Sequence, residues 1–90
     1  MYKIFTTNKF EKDAVKCFKR GLDLSHLDKA SELLEVTGTL PSKYRPYTLS
    51  GNFSNHWEGH LLPDWLLIWK IDRANNEITL VRTGTHSELF

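Results

Sequence analysis

Residues 65–69, Trp65-Leu66-Leu67-Ile68-Trp69, form an unbroken apolar run bounded by Pro63-Asp64 on one side and Lys70 on the other. Five residues are too few for a buried helix, and the bulky side chains suit a pleated surface, so the run reads as a strand covered on both faces. A chain of 90 residues has material for one hydrophobic core. The strand therefore belongs at the centre of one sheet, with helices on one side and a covered surface on the other. We read residues 1–90 as a single domain.

The hydrophobic period supplies both layers. Tyr2 to Phe5 alternates weakly, as a short first strand does. Thr7 or Asn8 then offers a cap, and Phe10, Ala14, Cys17 and Phe18 recur at helical spacing until Gly21. A second helix is predicted from Ser25, which is read as its cap, with Leu27, Ala30, Leu33 and Leu34 as its apolar stripe and Gly38 as its end. The short connection folds the two into an antiparallel pair. From Tyr44 the period falls from 3.6 to two. Tyr47–Leu49, Asn55–Leu61, Trp65–Ile71 and Ile78–Val81 are predicted strands, separated by turns at Ser50-Gly51-Asn52 and Ala74-Asn75-Asn76. The expected architecture is α+β, two N-terminal helices packed on a small twisted antiparallel sheet.

Charge adds a weak signal. The net charge is +1, too small to mark a strongly basic nucleic-acid binder, yet Lys43, Arg45, Lys70, Arg73 and Arg82 all fall in the second half, leaving room for a local positive surface. The single cysteine, Cys17, has no partner within the chain and reads as a core filler in a reducing compartment. The start, MYKIFTTNKF, lacks the apolar stretch of a signal peptide, and no apolar run approaches the ~18 residues of a membrane span. A cytoplasmic location without membrane contact is the expectation.

The polar residues of interest lie in His56-Trp57-Glu58-Gly59-His60, Pro63-Asp64-Trp65 and Arg82-Thr83-Gly84-Thr85-His86, on strands or strand ends that can converge on one face. Two histidines four apart suggest zinc on a helix. On a strand that spacing spans about 13 Å, several times a Zn–N bond length, and Gly59 and Pro63 oppose a helix, so no metal and no cofactor is predicted. His56 reads as a surface residue and is left out. His60, Asp64 and His86 remain as a possible acid–base set.

Leu40-Pro41, Leu49-Ser50-Gly51, the stretch His60-Leu61-Leu62-Pro63-Asp64-Trp65 and the ending Arg82-Thr83-Gly84-Thr85-His86-Ser87-Glu88-Leu89-Phe90 together resemble the YafQ branch of RelE-type bacterial toxins. The resemblance is strong from Leu40 onward and extends to the first half by architecture alone. It implies a RelE-like fold and an endoribonuclease toxin of a type II toxin–antitoxin pair. Such a toxin cuts mRNA at the ribosome, is silenced by a cognate antitoxin protein, and meets DNA only through that antitoxin. By position it implies His60, Asp64 and His86 as catalytic residues, Trp65 beside them, and Phe90 as the functional C-terminal phenylalanine. The family pattern has a histidine two residues before the Leu-x-Gly, where this chain has Tyr47. A tyrosine hydroxyl donates to phosphate but, with a pKa near 10, is a poor base at neutral pH.

Metal-free RNA cleavage needs a group to take the 2′-OH proton, charge stabilisation at the phosphate, and an acid for the leaving 5′-oxygen. The residues on hand fit these roles: His86 as acid, His60 or Asp64 as base or orienter of the base, Arg82 at the phosphate, Phe90 stacking on a base, and Tyr47 and Trp65 lining the substrate. The rival readings are a non-catalytic RNA- or protein-binding module of the same fold and a metal-dependent hydrolase.

Overall fold

The computed structural model describes residues 1–90. Its elements are β1 (Lys3–Thr6), α1 (Asn8–Lys19), α2 (Ser25–Thr37), β2 (Tyr47–Thr48), β3 (Trp57–Leu62), β4 (Trp65–Asp72), β5 (Glu77–Gly84) and α3 (His86–Leu89), with single 3₁₀ turns at Ser42–Tyr44 and Gly51–Phe53. The strands form one sheet in the order β1-β5-β4-β3-β2. β4 is indeed central. The α+β class stands as expected, but the sheet is mixed rather than wholly antiparallel: β1 runs parallel to β5, with Ile4 opposite Ile78, while β2–β3, β3–β4 and β4–β5 are antiparallel. The cause is α1 and α2, which intervene after β1 and leave only the far edge of β5 for it to join.

Local chemistry sets the helix ends. Thr7 caps α1, its hydroxyl accepting the Phe10 N–H at 3.0 Å, and the same hydroxyl donates to the Val81 carbonyl at 2.8 Å, so one side chain both starts the helix and ties it to β5. The expected cap of α2 differs. Ser25 is already helical and its hydroxyl does not cap; instead Asp23 Oδ1 accepts the Ser25 N–H at 2.9 Å. An aspartate oxygen reaching two residues forward competes well for that donor. Gly38 ends α2 at φ +76, and a Cβ there would lie 2.5 Å from Tyr2 Cε2, so only glycine fits beneath the Tyr2 ring.

The central strand divides the apolar material by alternation. Trp65, Leu67 and Trp69 face the helices and join Phe10, Cys17, Leu27, Ala30 and Leu34 in the main core. Leu66 and Ile68 face the other way, against Leu89 of α3, Leu49, Phe53 and Val81. Each fully buried side chain of this size contributes about 1.5–3 kcal/mol relative to exposure. Burial on both faces is why the run is apolar throughout. No helix is long and apolar enough to cross a membrane.

Candidate active site

The face of β4 away from α1 and α2 carries the polar residues. Leu66 has His60 of β3 as its partner on one side and Gly84 of β5 on the other. These three form a row across the sheet. Two inter-strand steps put the backbones of His60 and Gly84 roughly 10 Å apart. Past Gly84 the chain turns into α3, whose buried Leu89 seats on Leu66 and Ile68. His86 thus begins a helix on the same face as His60, with a strand's width between them.

That short helix is built by its own sequence. Thr85 is its cap: its hydroxyl accepts the Glu88 N–H at 3.3 Å while Glu88 Oε1 accepts the Thr85 N–H at 2.8 Å. Arg20, at the end of α1, reaches Glu88 Oε2 at 2.8 Å. The Thr85 N–H, and after it the Arg20 guanidinium, hold the Glu88 carboxyl below the usual glutamate range. Asp64 Oδ1 meets the His86 N–H at 3.5 Å, a long contact that links the β3–β4 turn to the helix start. The His86 and Phe90 rings lie one helical turn apart with centroids at 4.9 Å, and Phe90 stands edge-on to Phe53 at 5.7 Å. Phe90 remains 54% exposed, so one edge is held and a broad face is open.

On the β3 side, His60 is half-buried. Its Nδ1 lies 3.4 Å from the Pro63 carbonyl and its Nε2 3.8 Å from Glu58 Oε2. Tyr47 of β2 pairs directly with Glu58 across the strands, and its hydroxyl donates to Glu58 Oε2. That bond, and then burial, raise the Tyr47 hydroxyl above its ordinary pKa.

The structure places His60, Asp64, His86, Phe90 and Tyr47 on or at the rim of one face. Of the residues expected to touch substrate, Trp65 is buried and Arg82 is engaged in part elsewhere. Trp65 is only 2% exposed and points into the helix-side core, its indole N–H donating to Thr83 Oγ1 at 2.9 Å. Its position in the period-two pattern, on the side of Leu67 and Trp69, dictates this. Arg82 is paired with Asp13 of α1 through Nε–Oδ2 at 2.6 Å and Nη2–Oδ1 at 3.2 Å, which leaves Nη1 as its unbonded nitrogen. In the β4–β5 register Arg82 lies opposite Ile68, next to a bulge between Ile68 and Trp69. Outside the set, His56 is half-buried, edge-on to Phe53 at 5.7 Å.

Glu58 was not singled out by pattern, although alternation puts it on the face of His60. It is 1% exposed. Its Oε1 is buried without a hydrogen-bond partner, which no feature of the sequence announces.

A family model described as the bacterial toxin of type II toxin-antitoxin systems, YafQ, matches residues 2–90. The mRNA interferase toxin YafQ of Escherichia coli K12 is 33% identical over 85 residues, spanning 93% of this chain and 90% of that protein. A crystal structure of a metal-bound toxin from Helicobacter pylori is 41% identical, covers 100% of both chains and superposes with a TM-score of 0.91. The toxin of the E. coli DinJ–YafQ complex is 32% identical, with 100% of this chain and 99% of that one covered and a TM-score of 0.88.

The fold is that of a small bacterial toxin of the RelE-like kind. Within that class, the chain belongs to the YafQ family of type II toxin–antitoxin toxins. The H. pylori relative holds a metal; in this chain no three His, Cys, Asp or Glu side chains are grouped to hold one. Glu58 and His60 alone supply too few donors for a closed site.

Proposed function

We propose that this chain is an endoribonuclease that cleaves mRNA in association with the ribosome, by acid–base catalysis without a metal, and that a cognate antitoxin protein holds it inactive. The observation that carries this reading is the row His60–Leu66–Gly84, which sets one histidine and the start of the helix bearing the other on opposite sides of β4. A scissile phosphate lying over Leu66 has an imidazole to either hand. His60 Nε2 takes the 2′-OH proton as that oxygen attacks phosphorus; the P–O5′ bond breaks, and His86 gives its proton to the leaving 5′-oxygen. The products are a 2′,3′-cyclic phosphate and a 5′-hydroxyl. Asp64 acts through the His86 backbone, orienting the acid. Arg82 shares its charge with Asp13 and offers Nη1 to the phosphate.

Phe90 offers its exposed face to a base. Such stacking contributes about 1–3 kcal/mol, so Phe90→Ala weakens RNA binding by roughly ten-fold. The antitoxin is read as a small acidic protein that covers this face, as the E. coli relative has been crystallised with DinJ. Any contact with DNA runs through that partner, and the site of action is the cytoplasm.

The test is purified protein with ribosomes and mRNA, in the presence and absence of excess chelator. Site-specific cuts that persist in chelator and vanish in His86→Ala are expected. Loss of cutting in chelator would overturn the metal-free reading. Full cutting by His86→Ala would remove the assignment of the acid, and no cutting by the wild type would favour a binding module of the same fold.

A further inference from the structure

Glu58 is a costly residue to bury. Its side chain is 1% exposed, one oxygen has no partner, and no lysine or arginine pairs with it, the His60 imidazole standing at 3.8 Å instead. A carboxylate in that position loses hydration that one tyrosine hydroxyl does not replace, and a neutral side chain of the same shape would be easier to accommodate. Orphaned buried polar atoms are rare enough in folded proteins that one beside a candidate proton acceptor calls for a cause.

The geometry points to Glu58 as a positioning residue for the cleavage reaction, acting through His60, with Tyr47 as the clasp that fixes its carboxylate. This rests on the reading of His60 as the group that takes the 2′-OH proton. His60 is oriented at Nδ1 by the Pro63 carbonyl at 3.4 Å, which leaves Nε2 facing Glu58 Oε2 at 3.8 Å. Once Nε2 gains a proton the ring is cationic, and a carboxylate already stands beside it in a poorly hydrated place where the attraction is strong. Like the buried aspartate of a Ser-His-Asp triad, the acid stabilises the imidazolium that forms and takes no proton itself, but it stands at the proton-accepting nitrogen rather than at the opposite one. Tyr47 donates its one hydroxyl proton to the same Glu58 oxygen. It therefore serves the site by fixing Glu58, rather than as a base or as a free donor to phosphate.

A role in catalysis and a role in packing predict opposite signs. Glu58→Gln keeps the shape and an acceptor for Tyr47 while removing the buried charge. On the ribosome–mRNA substrate it should slow single-turnover cleavage roughly 10–100-fold, by analogy with the loss of outer-shell groups that orient a metal-bound histidine. RNA affinity should change by less than about three-fold and the melting temperature should not fall. Glu58→Asp, which restores the charge at a shorter reach, should recover part of the rate. Tyr47→Phe should also slow cleavage, by less than Glu58→Gln. Cleavage by Glu58→Gln at the wild-type rate, or a rate loss that tracks a lower melting temperature, would overturn the inference.

Imidazole ¹⁵N spectra of the same variants separate this from the broader reading. If the wild type cuts no RNA, the ribonuclease reading fails, yet the His60 Nε2 resonance must still move on Glu58→Gln. An unmoved resonance would refute the pairing whatever the activity.

Discussion

Asp13 grips Arg82 with both carboxylate oxygens, at 2.6 and 3.2 Å, and with Oδ2 also accepts the Thr83 N–H at 3.2 Å. One side chain of α1 thereby neutralises the arginine of β5 and fastens the strand's backbone. The pair holds the Arg82 guanidinium above its already high ordinary pKa. Asp13→Ala should leave Arg82 half-buried and unpaired and cost about 1–3 kcal/mol, discounted from the fully buried case because Arg82 is partly solvated. Chemical denaturation checks this, and a loss no larger than that of an exposed pair would show the contact to be decorative.

Trp65→Phe distinguishes a core residue from a substrate contact. Removing the indole N–H breaks its bond to Thr83 and leaves space beside it, so a loss of about 1–3 kcal/mol is expected. RNA affinity should stay at the wild-type value in a filter-binding titration. Weaker RNA binding at undiminished stability would return Trp65 to the substrate surface.

Gly84 has φ +154, and a Cβ there would stand 2.9 Å from Glu88 Oε1. Gly84→Ala should therefore strain the backbone and displace the carboxylate that closes the capping box, at roughly 1–3 kcal/mol. Because α3 carries His86 and Phe90, cleavage should fall further than the stability loss alone accounts for. Equal losses in melting point and rate would argue that α3 tolerates the displacement.

Acid should loosen α3 through Glu88. Its carboxyl is depressed by the Thr85 N–H first and by Arg20, so its stabilising contribution is fully present above the unfolded value near 4.3 and is lost as pH falls below it through the folded value. Glu88→Gln keeps the amide–backbone bond of the box but has nothing to titrate. The melting temperature of wild type relative to this variant should thus drop as pH falls below about 4.3. A difference that does not vary with pH would rule out this linkage.

Much of the architecture was legible before any coordinates. The apolar run at Trp65–Trp69 placed β4, the change of period near Tyr44 separated helices from strands, and the turn residues at 74–76 marked the β4–β5 hairpin. The partner of β1 was not legible, because alternation says which face a side chain takes but not which neighbour a strand joins. Helix α3 is four residues long, below what periodicity detects, although Thr85 and Glu88 spelled a capping box. Within the candidate site, the pattern itself offered His60, Asp64 and His86 as a possible acid–base set, and the resemblance added Phe90. Glu58 lay in a polar segment of interest but its isolation was not legible because it comes from packing, and the pairing of Arg82 was not legible because Asp13 lies 69 residues away in sequence.

The parallel pairing of β1 with β5 bears on the order in which the chain assembles. Contacts such as Thr7 to Val81 join residues 74 apart, whereas β3, β4 and β5 follow one another through tight turns. Closing so long a loop carries an entropic cost that local hairpins avoid. The three-stranded meander bearing His60 and the approach to His86 is thus suited to form early, with β1 docking late. Substitutions in β1 should then hasten unfolding and leave the refolding rate nearly untouched.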